Sequence, residues 1–156
     1  MLPEMPQNDS FPVCTEEAVQ IILSNWSEQE KEAFSELKWE NLDELKVTLG
    51  LDIRNQFQLW SGNPGLLRAC MNKIESEPLF KTILWNIFYA HTWEDGIGQD
   101  EIQNDKNRQE EKEAFEEVFS NIDAYLASEL ILFLTWLSVQ KNPMNLVQLS
   151  QVRSKE

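Results

Sequence analysis

Few side chains in this sequence are of the types that do chemistry, and none stands in the spacing of a catalytic or metal site. His91 is the single histidine, and with its neighbours Glu94 and Asp95 it could form an acid–base pair or part of a metal site. A transition-metal site needs three or four ligands, and the sequence supplies no second histidine and no closely spaced cysteine pair. We therefore expect His91 to be a structural or surface residue.

The other sequence patterns of catalysis are missing as well. Asp100 and Asp105 lie among glutamates that could hold a hard cation weakly, but they lack the spacing of a calcium-binding loop. The sequence has no glycine-rich phosphate loop, no nucleophile elbow and no supported cysteine–histidine pair. A single histidine also excludes a di-metal bundle with Glu-x-x-His on two helices. We expect a protein that is not an enzyme and that holds no metal and no cofactor.

Arg54 and Asn55 are polar residues inside an otherwise apolar and acidic segment. Together they could line a small polar pocket. The commoner role of such residues is structural, with Arg54 paired to a carboxylate and Asn55 holding the backbone of the corner from Trp60 to Asn63. We expect the structural role, in which replacing Arg54 by alanine lowers stability before it lowers any binding.

The segment 49–70 organises the elements that position these residues. Apolar residues three or four apart predict an amphipathic helix before it and through its first part: Leu42, Leu45, Leu49, Ile53 and Phe57. The pattern breaks at residues 61–65, where Asn63 followed by Pro64 suits the cap and first turn of a new helix. We expect the two helices to fold back around Trp60 at the corner.

This segment resembles the signature of a small uncharacterised bacterial domain family, Gly-Leu-x-Ile-Arg-Asn-x-Phe-x-Leu-Trp-x-Gly-Asn-x-x-Leu-Leu-x-x-Cys. The family's Glu-Glu-Ala-Val and Ser-Glu-x-(Glu/Asp)-Lys helices correspond to residues 15–19 and 27–31. The resemblance covers about residues 12–71 and implies a helical fold without implying an activity. Relatives carry a His-Pro-Asp-Asp turn where this chain has Ser-Glu-Pro-Leu at 76–79, so the chain beyond Phe80 is interpreted from its own residues.

The whole sequence predicts an all-α fold, a single compact bundle of about six helices, with an acidic loop before a long C-terminal helix. Residues 1–13, with three prolines, read as an extended lead-in, and 144–156 as a polar tail. Thr15 is expected to cap the first helix, and Ser27 with Glu30 matches a capping box. The C-terminal helix can bend near residues 120–121 before the apolar segment 125–137.

The charge balance points to the kind of partner. The chain of 156 residues has a net charge of −14, which repels nucleic-acid phosphates and anionic membranes and attracts basic protein surfaces. No signal peptide is visible, and the most apolar stretch, 130–139, is too short to span a bilayer. Cys14 and Cys70 form no disulfide framework and suit a reducing compartment as small buried residues. We expect a cytoplasmic protein.

Negative charge is concentrated in two places. The segment 94–117 holds ten acidic and three basic residues. Glutamates also recur every four residues on the second predicted helix: Glu28, Glu32, Glu36 and Glu40. Neighbouring like charges on a helix repel one another. Each concentration could be a solvated face or a docking surface for a cationic partner.

These features together favour a bacterial immunity protein that binds and neutralises a cognate protein toxin with a basic surface. Trp93 would be an aromatic anchor beside the acidic segment. The expected partner-binding residues are Trp93, Glu94, Asp95, Asp100, Glu101, Asp105, Glu110, Glu111, Glu28, Glu32 and Glu36. The alternatives are an inhibitor that mimics DNA and so blocks nucleic-acid-binding proteins, and an adaptor subunit whose acidity serves only solubility.

Overall fold

A computed structural model describes residues 12–61, 63–89, 101–120 and 122–141, with the backbone alone for 101–107. These residues form helices and turns without a strand, which confirms the all-α prediction. A short 3-10 helix covers Trp39–Asn41. The α-helices are α1 (Thr15–Ser24), α2 (Glu28–Ser35), α3 (Leu42–Leu45), α4 (Leu49–Gln56), α5 (Pro64–Ser76), α6 (Pro78–Phe88), α7 (Glu101–Val118) and α8 (Ala124–Ser138).

Local side-chain chemistry sets the starts of the first two helices. Ser27 caps α2: its Oγ accepts from the Glu30 N–H at 3.1 Å, and Glu30 Oε1 accepts from the Ser27 N–H at 2.8 Å. The cap of α1 is Cys14 instead of Thr15, because Cys14 has the extended backbone of a cap and its carbonyl accepts from the Ala18 N–H at 3.2 Å. Thr15 is the first helical residue and is buried.

Asn63 holds the corner between α4 and α5. Its Oδ1 accepts from the Leu66 N–H at 3.2 Å, and Pro64 follows as the first helical residue. Its Nδ2 donates to the carbonyls of Phe57 at 2.9 Å and Pro12 at 3.2 Å. The predicted cap is therefore confirmed. The prediction that the helices fold around Trp60 is wrong, because Trp60 is 50% exposed and the corner buries Asn63.

Helix α8 is the centre of the fold. It contacts α1, α4, α5 and α6, and its residues Leu130, Ile131, Leu132 and Phe133 are fully buried. A helix that is apolar on all sides is expected at such a position, and burying each large aliphatic side chain contributes about 1.5–3 kcal/mol. Most of the apolar stretch 130–139 is therefore buried in the core. In the described part of the chain, no helix is long and apolar enough to cross a membrane.

Two predicted helices are each divided in the structure. The periodic segment 42–57 contains α3 and α4, separated at residues 46–48. The expected long C-terminal helix is α7 and α8, because the Asp123 side chain accepts from the Leu126 N–H at 2.8 Å and starts a new helix. Much of the expected acidic loop is already helical, since α7 begins at Glu101. The tail at 144–156 lies outside the described residues.

Candidate functional site

One face of α7 carries carboxylates without basic partners. Glu110, Glu113 and Glu117 are spaced by three and four residues, so they share one side of the helix. All three are exposed, and no lysine or arginine in the described part of the chain forms an ion pair with them. Like charges at this spacing destabilise a helix by a few tenths of a kcal/mol, roughly, for each pair. We call these three residues the α7 carboxylate face.

The other side of α7 packs on the bundle. Glu111 is half-buried, and its Oε2 accepts from the Trp85 indole N–H at 2.9 Å. Phe115 lies beside it, with its ring centroid 5.3 Å from that of Trp85. Of the two adjacent glutamates expected to bind a partner, Glu110 therefore faces solvent and Glu111 holds α7 to α6.

The remaining predicted residues of the acidic segment are not placed by the structure. Glu101 and Asp105 lie in α7, and the structure describes only their backbone. The predictions for His91 and for Trp93, Glu94, Asp95 and Asp100 also fall outside the described residues.

The glutamate stripe at Glu28, Glu32, Glu36 and Glu40 is exposed but does not form one helix face. Helix α2 ends at Ser35, and Glu40 belongs to the 3-10 helix. Two of its carboxylates have basic partners. Glu28 Oε1 lies 3.4 Å from Lys31 Nζ, and Glu32 Oε1 lies 2.6 Å from Lys141 Nζ. The hydrogen bond and the charge of Glu32 raise the pKa of Lys141. The stripe is thus more neutralised than the α7 carboxylate face.

Trp60 and Tyr125 form a second exposed feature, which we call the aromatic corner. Their side chains are 50% and 52% exposed, and the rings meet edge to face with centroids 5.3 Å apart. The Trp60 indole N–H donates to Asn55 Oδ1 at 2.8 Å. Asn55 therefore holds the Trp60 side chain, while the backbone role expected of Asn55 is carried out by Asn63.

Arg54 lies buried beneath the aromatic corner. Its Cζ is 4.7 Å from the ring centroid of Tyr125 and 5.5 Å from that of Trp60, within the range of cation–π attraction. Its Nη1 donates to Ser128 Oγ at 3.0 Å, and its Nη2 donates to the Lys46 carbonyl at 3.3 Å. The carboxylate partner expected for Arg54 is absent from the described residues, and neutral acceptors and aromatic rings surround the guanidinium instead.

Gly50, one helical turn before Arg54 in α4, leaves room for the Arg54 guanidinium. A Cβ atom added at Gly50 would lie 3.2 Å from Nη1 of Arg54, a close approach. Arg54 itself is 5% exposed, so its charge is enclosed by the fold. These contacts support the structural role that the sequence predicts for Arg54.

Glu129 is a buried carboxyl group that the sequence did not single out. It is 5% exposed, and the Tyr89 hydroxyl donates to its Oε1 at 2.6 Å. Burial raises the pKa of Glu129 to about 7, although the bond from Tyr89 and the charges of Lys46 and Arg54 act in the opposite direction. Burial, and then the Glu129 charge, raises the pKa of Tyr89. The available signal was one charged residue inside the apolar run 126–137.

Two adjacent cavities meet at Tyr89 and Tyr125. The cavity of about 220 Å³ is lined by Lys46, Val47, Arg54, Tyr89, Tyr125 and Glu129. The cavity of about 530 Å³ is lined by Tyr89, Ala114, Glu117, Val118, Asp123 and Tyr125. A carboxyl group that titrates near neutrality could move a proton. However, the described residues contain no group of three or more histidine, cysteine, aspartate or glutamate side chains that could hold a metal ion.

Comparison with known families finds a match for the part of the chain that forms the first five α-helices. Residues 11–77 match the family described as a domain of unknown function, DUF6794. The match spans α1 to α5 and includes Arg54, Asn55, Trp60 and Asn63. It agrees with the resemblance to an uncharacterised family, and it leaves α6 to α8 outside. The comparisons with curated proteins and with solved structures find no match.

Proposed function

We propose that this chain is a non-catalytic binding protein that docks on the basic surface of another protein through the α7 carboxylate face. The most specific form of the proposal is a bacterial immunity protein that neutralises a cognate toxin acting in the cytoplasm. The observation that supports it is the exposure of Glu110, Glu113 and Glu117 on one face without basic partners in the described residues.

Electrostatics explains why such a face suits this role. A chain with a net charge of −14 attracts cationic surfaces over long distances and accelerates encounter with them. Charged residues that repel one another in the free protein gain stabilisation when a cationic partner lies against them. Salt screens this attraction beyond roughly 8–10 Å at physiological ionic strength, so binding should depend on salt.

Purification of the tagged protein with its bound partners, at low and then moderate salt, tests the proposal. The expected result is one basic protein in equimolar amount, which is toxic when expressed alone and harmless when co-expressed with this chain. Recovery of several unrelated nucleic-acid-binding proteins, all released by moderate salt, would favour a DNA-mimicking inhibitor. Recovery of a multi-subunit assembly without a toxic component would favour an adaptor subunit.

A further inference from the structure

We propose that an apolar patch around the aromatic corner is the centre of the docking surface, and that it receives an apolar side chain flanked by basic residues on the partner. The apolar patch consists of Val47, Leu51, Trp60 and Tyr125. This inference rests on the proposed function and adds the position and chemistry of the anchor. It moves the anchor from the predicted Trp93 to residues that the structure describes.

Exposure singles out this patch. In the described part of the chain, five large hydrophobic residues are exposed: Val13, Val47, Leu51, Trp60 and Tyr125. Four of the five belong to the apolar patch. Val47 lines a cavity together with Tyr125, Tyr125 contacts Trp60, and Leu51 lies one helical turn before Asn55, which holds Trp60. Clustered exposed hydrophobic residues mark interaction sites, and tryptophan and tyrosine are frequent binding hot spots.

The fold holds Trp60 in a fixed position at the surface. Its indole N–H donates to Asn55, its ring meets that of Tyr125 edge to face, and the Arg54 guanidinium lies under both rings. These contacts fix a large side chain that stays half exposed. A side chain that is already ordered loses less conformational freedom on binding, so it binds more tightly for the same contact area.

A strained backbone turn places Trp60 at the surface. Gln58 has a φ of 57°, in the left-handed region that side-chain-bearing residues rarely adopt. The Leu59 N–H donates to the Arg54 carbonyl at 2.9 Å and closes this turn. As a result Phe57 and Leu59 are buried, whereas Trp60 faces outward. The strained turn therefore displays the indole while keeping its neighbours in the core.

Charge around the patch matches a basic partner. The cavity of about 530 Å³ beside Tyr125 is lined by Glu117 and Asp123, and Glu117 belongs to the α7 carboxylate face. An apolar centre with a charged rim is the usual arrangement of protein interfaces. Two cations lie close by, but Arg54 is buried and Lys46 forms an ion pair with Asp43 at 2.9 Å. The rim offered to a partner is thus acidic.

A matched pair of valine variants tests the position of the anchor. Val47 and Val13 are 65% and 62% exposed, and only Val47 is in the apolar patch. Val47→Arg and Val13→Arg change the net charge of the full chain by the same amount. Each variant is titrated with a short synthetic peptide that alternates arginine with leucine, and with a lysine–serine peptide of equal charge, by calorimetry at low salt. Thermal unfolding confirms that both variants fold.

We expect Val47→Arg to bind the arginine–leucine peptide about ten-fold more weakly than Val13→Arg, because a hot-spot patch is blocked. The lysine–serine peptide should not distinguish the two variants. In the wild-type protein, the indole N–H resonance of Trp60, assigned by its loss in Trp60→Phe, should shift on addition of the arginine–leucine peptide. Equal binding by the two variants, or a bound peptide that leaves the Trp60 resonance unchanged, would overturn the inference.

Failure of this inference is distinguishable from failure of the proposed function. If one toxic partner is recovered and both valine variants suppress its toxicity equally, the docking centre lies elsewhere and the proposed function stands. If the purification recovers no toxic partner, the proposed function fails. The peptide titration then still decides whether the patch accepts an apolar side chain flanked by basic residues.

Discussion

The hydroxyl group of Tyr89 donates a 2.6 Å hydrogen bond to Oε1 of Glu129, and this bond joins the end of α6 to α8. Glu129 is buried and Tyr89 is half-buried, and burial raises the pKa of the Glu129 carboxyl group to about 7. The other charged groups that act on Glu129 are Lys46 and Arg54, which lower its pKa, and Asp123, which raises it. A single buried carboxyl group therefore couples the central packing of the fold to pH.

Replacing Glu129 by glutamine should stabilise the protein at high pH. The pKa of Glu129 rises from 4.5 in the unfolded chain to about 7 in the fold, so its contribution is full below pH 4.5 and is lost as pH rises through 7. A shift of this size corresponds to about 3 kcal/mol at most. Urea denaturation should show Glu129→Gln more stable than wild type by about 1–3 kcal/mol at pH 8 and equally stable near pH 4.

The exposed Glu117 provides the matched control for this substitution. Glu117→Gln makes the same chemical change at an exposed position of α7, so its free energy of unfolding at pH 8 should differ from that of the wild type by about 0.5 kcal/mol or less. A Glu129→Gln protein that is less stable than wild type at pH 8 would contradict the expected cost of the buried charge. In Glu129→Gln the Tyr89 hydroxyl keeps a hydrogen-bond acceptor, because the glutamine side chain has a carbonyl oxygen.

Replacing Arg54 should lower stability strongly. Arg54→Ala removes hydrogen bonds to Ser128 and to the Lys46 carbonyl, and it leaves a cavity beneath the aromatic corner. We expect a loss of about 3 kcal/mol in the free energy of unfolding. The exposed Arg68 is the control, and Arg68→Ala should cost about 0.5 kcal/mol or less. Equal losses in the two variants would show that the buried contacts of Arg54 do not stabilise the fold.

Two substitutions of Asn63 should separate the stability contributed by its helix cap from that contributed by the two hydrogen bonds that its amide donates. Asn63→Ala loses the acceptor for the Leu66 N–H and both donated bonds, and should cost about 2–4 kcal/mol. Asn63→Ser keeps a neutral cap acceptor for the Leu66 N–H but loses both amide donors, so its stability should lie between wild type and Asn63→Ala. Asn55→Ala is the control, because exposed Asn55 bonds only the Trp60 side chain from its Oδ1. Chemical denaturation of the three variants gives the order.

Local sequence was sufficient for the parts of the fold that depend on neighbouring residues. The capping box of Ser27 and Glu30 and the Asn63–Pro64 helix start each involve groups within three residues, so their residue types predict the geometry. The central burial of α8 follows from its predominantly apolar composition. The division between α7 and α8 was harder to locate, because the apolar spacing continues across the point where Asp123 caps a new helix.

The site depends on contacts that sequence spacing does not encode. Arg54 meets Ser128 across 74 residues, and Tyr89 meets Glu129 across 40. Composition marks Arg54 as unusual, but only the packing of α4 on α8 identifies Ser128 as one of its neutral acceptors. Exposure is similarly non-local: the residue types of Glu110 and Glu111 are identical, and only the position of Trp85 distinguishes a solvent-facing carboxylate from a structural one.

Reversing charges on the α7 carboxylate face should slow association with the partner recovered by co-purification. The triple variant Glu110→Lys, Glu113→Lys and Glu117→Lys should reduce the association rate about ten-fold at low salt, and the difference should shrink at high salt. The three lysines would share the spacing of the glutamates that they replace, so repulsion of like charges within α7 is kept with the sign reversed, and the free energy of unfolding should change little through that route. Stopped-flow binding at two salt concentrations measures the effect.

The matched control for charge is a triple variant of exposed glutamates on the other acidic surface, Glu28→Lys, Glu36→Lys and Glu40→Lys. Both triple variants change the net charge equally, so a difference between them reports the position of the partner and not the total charge. Slower association of the α7 variant alone would support docking on α7. Equal slowing would show that only net charge steers the encounter, and a larger effect of the control variant would move the docking surface to α2 and the 3-10 helix.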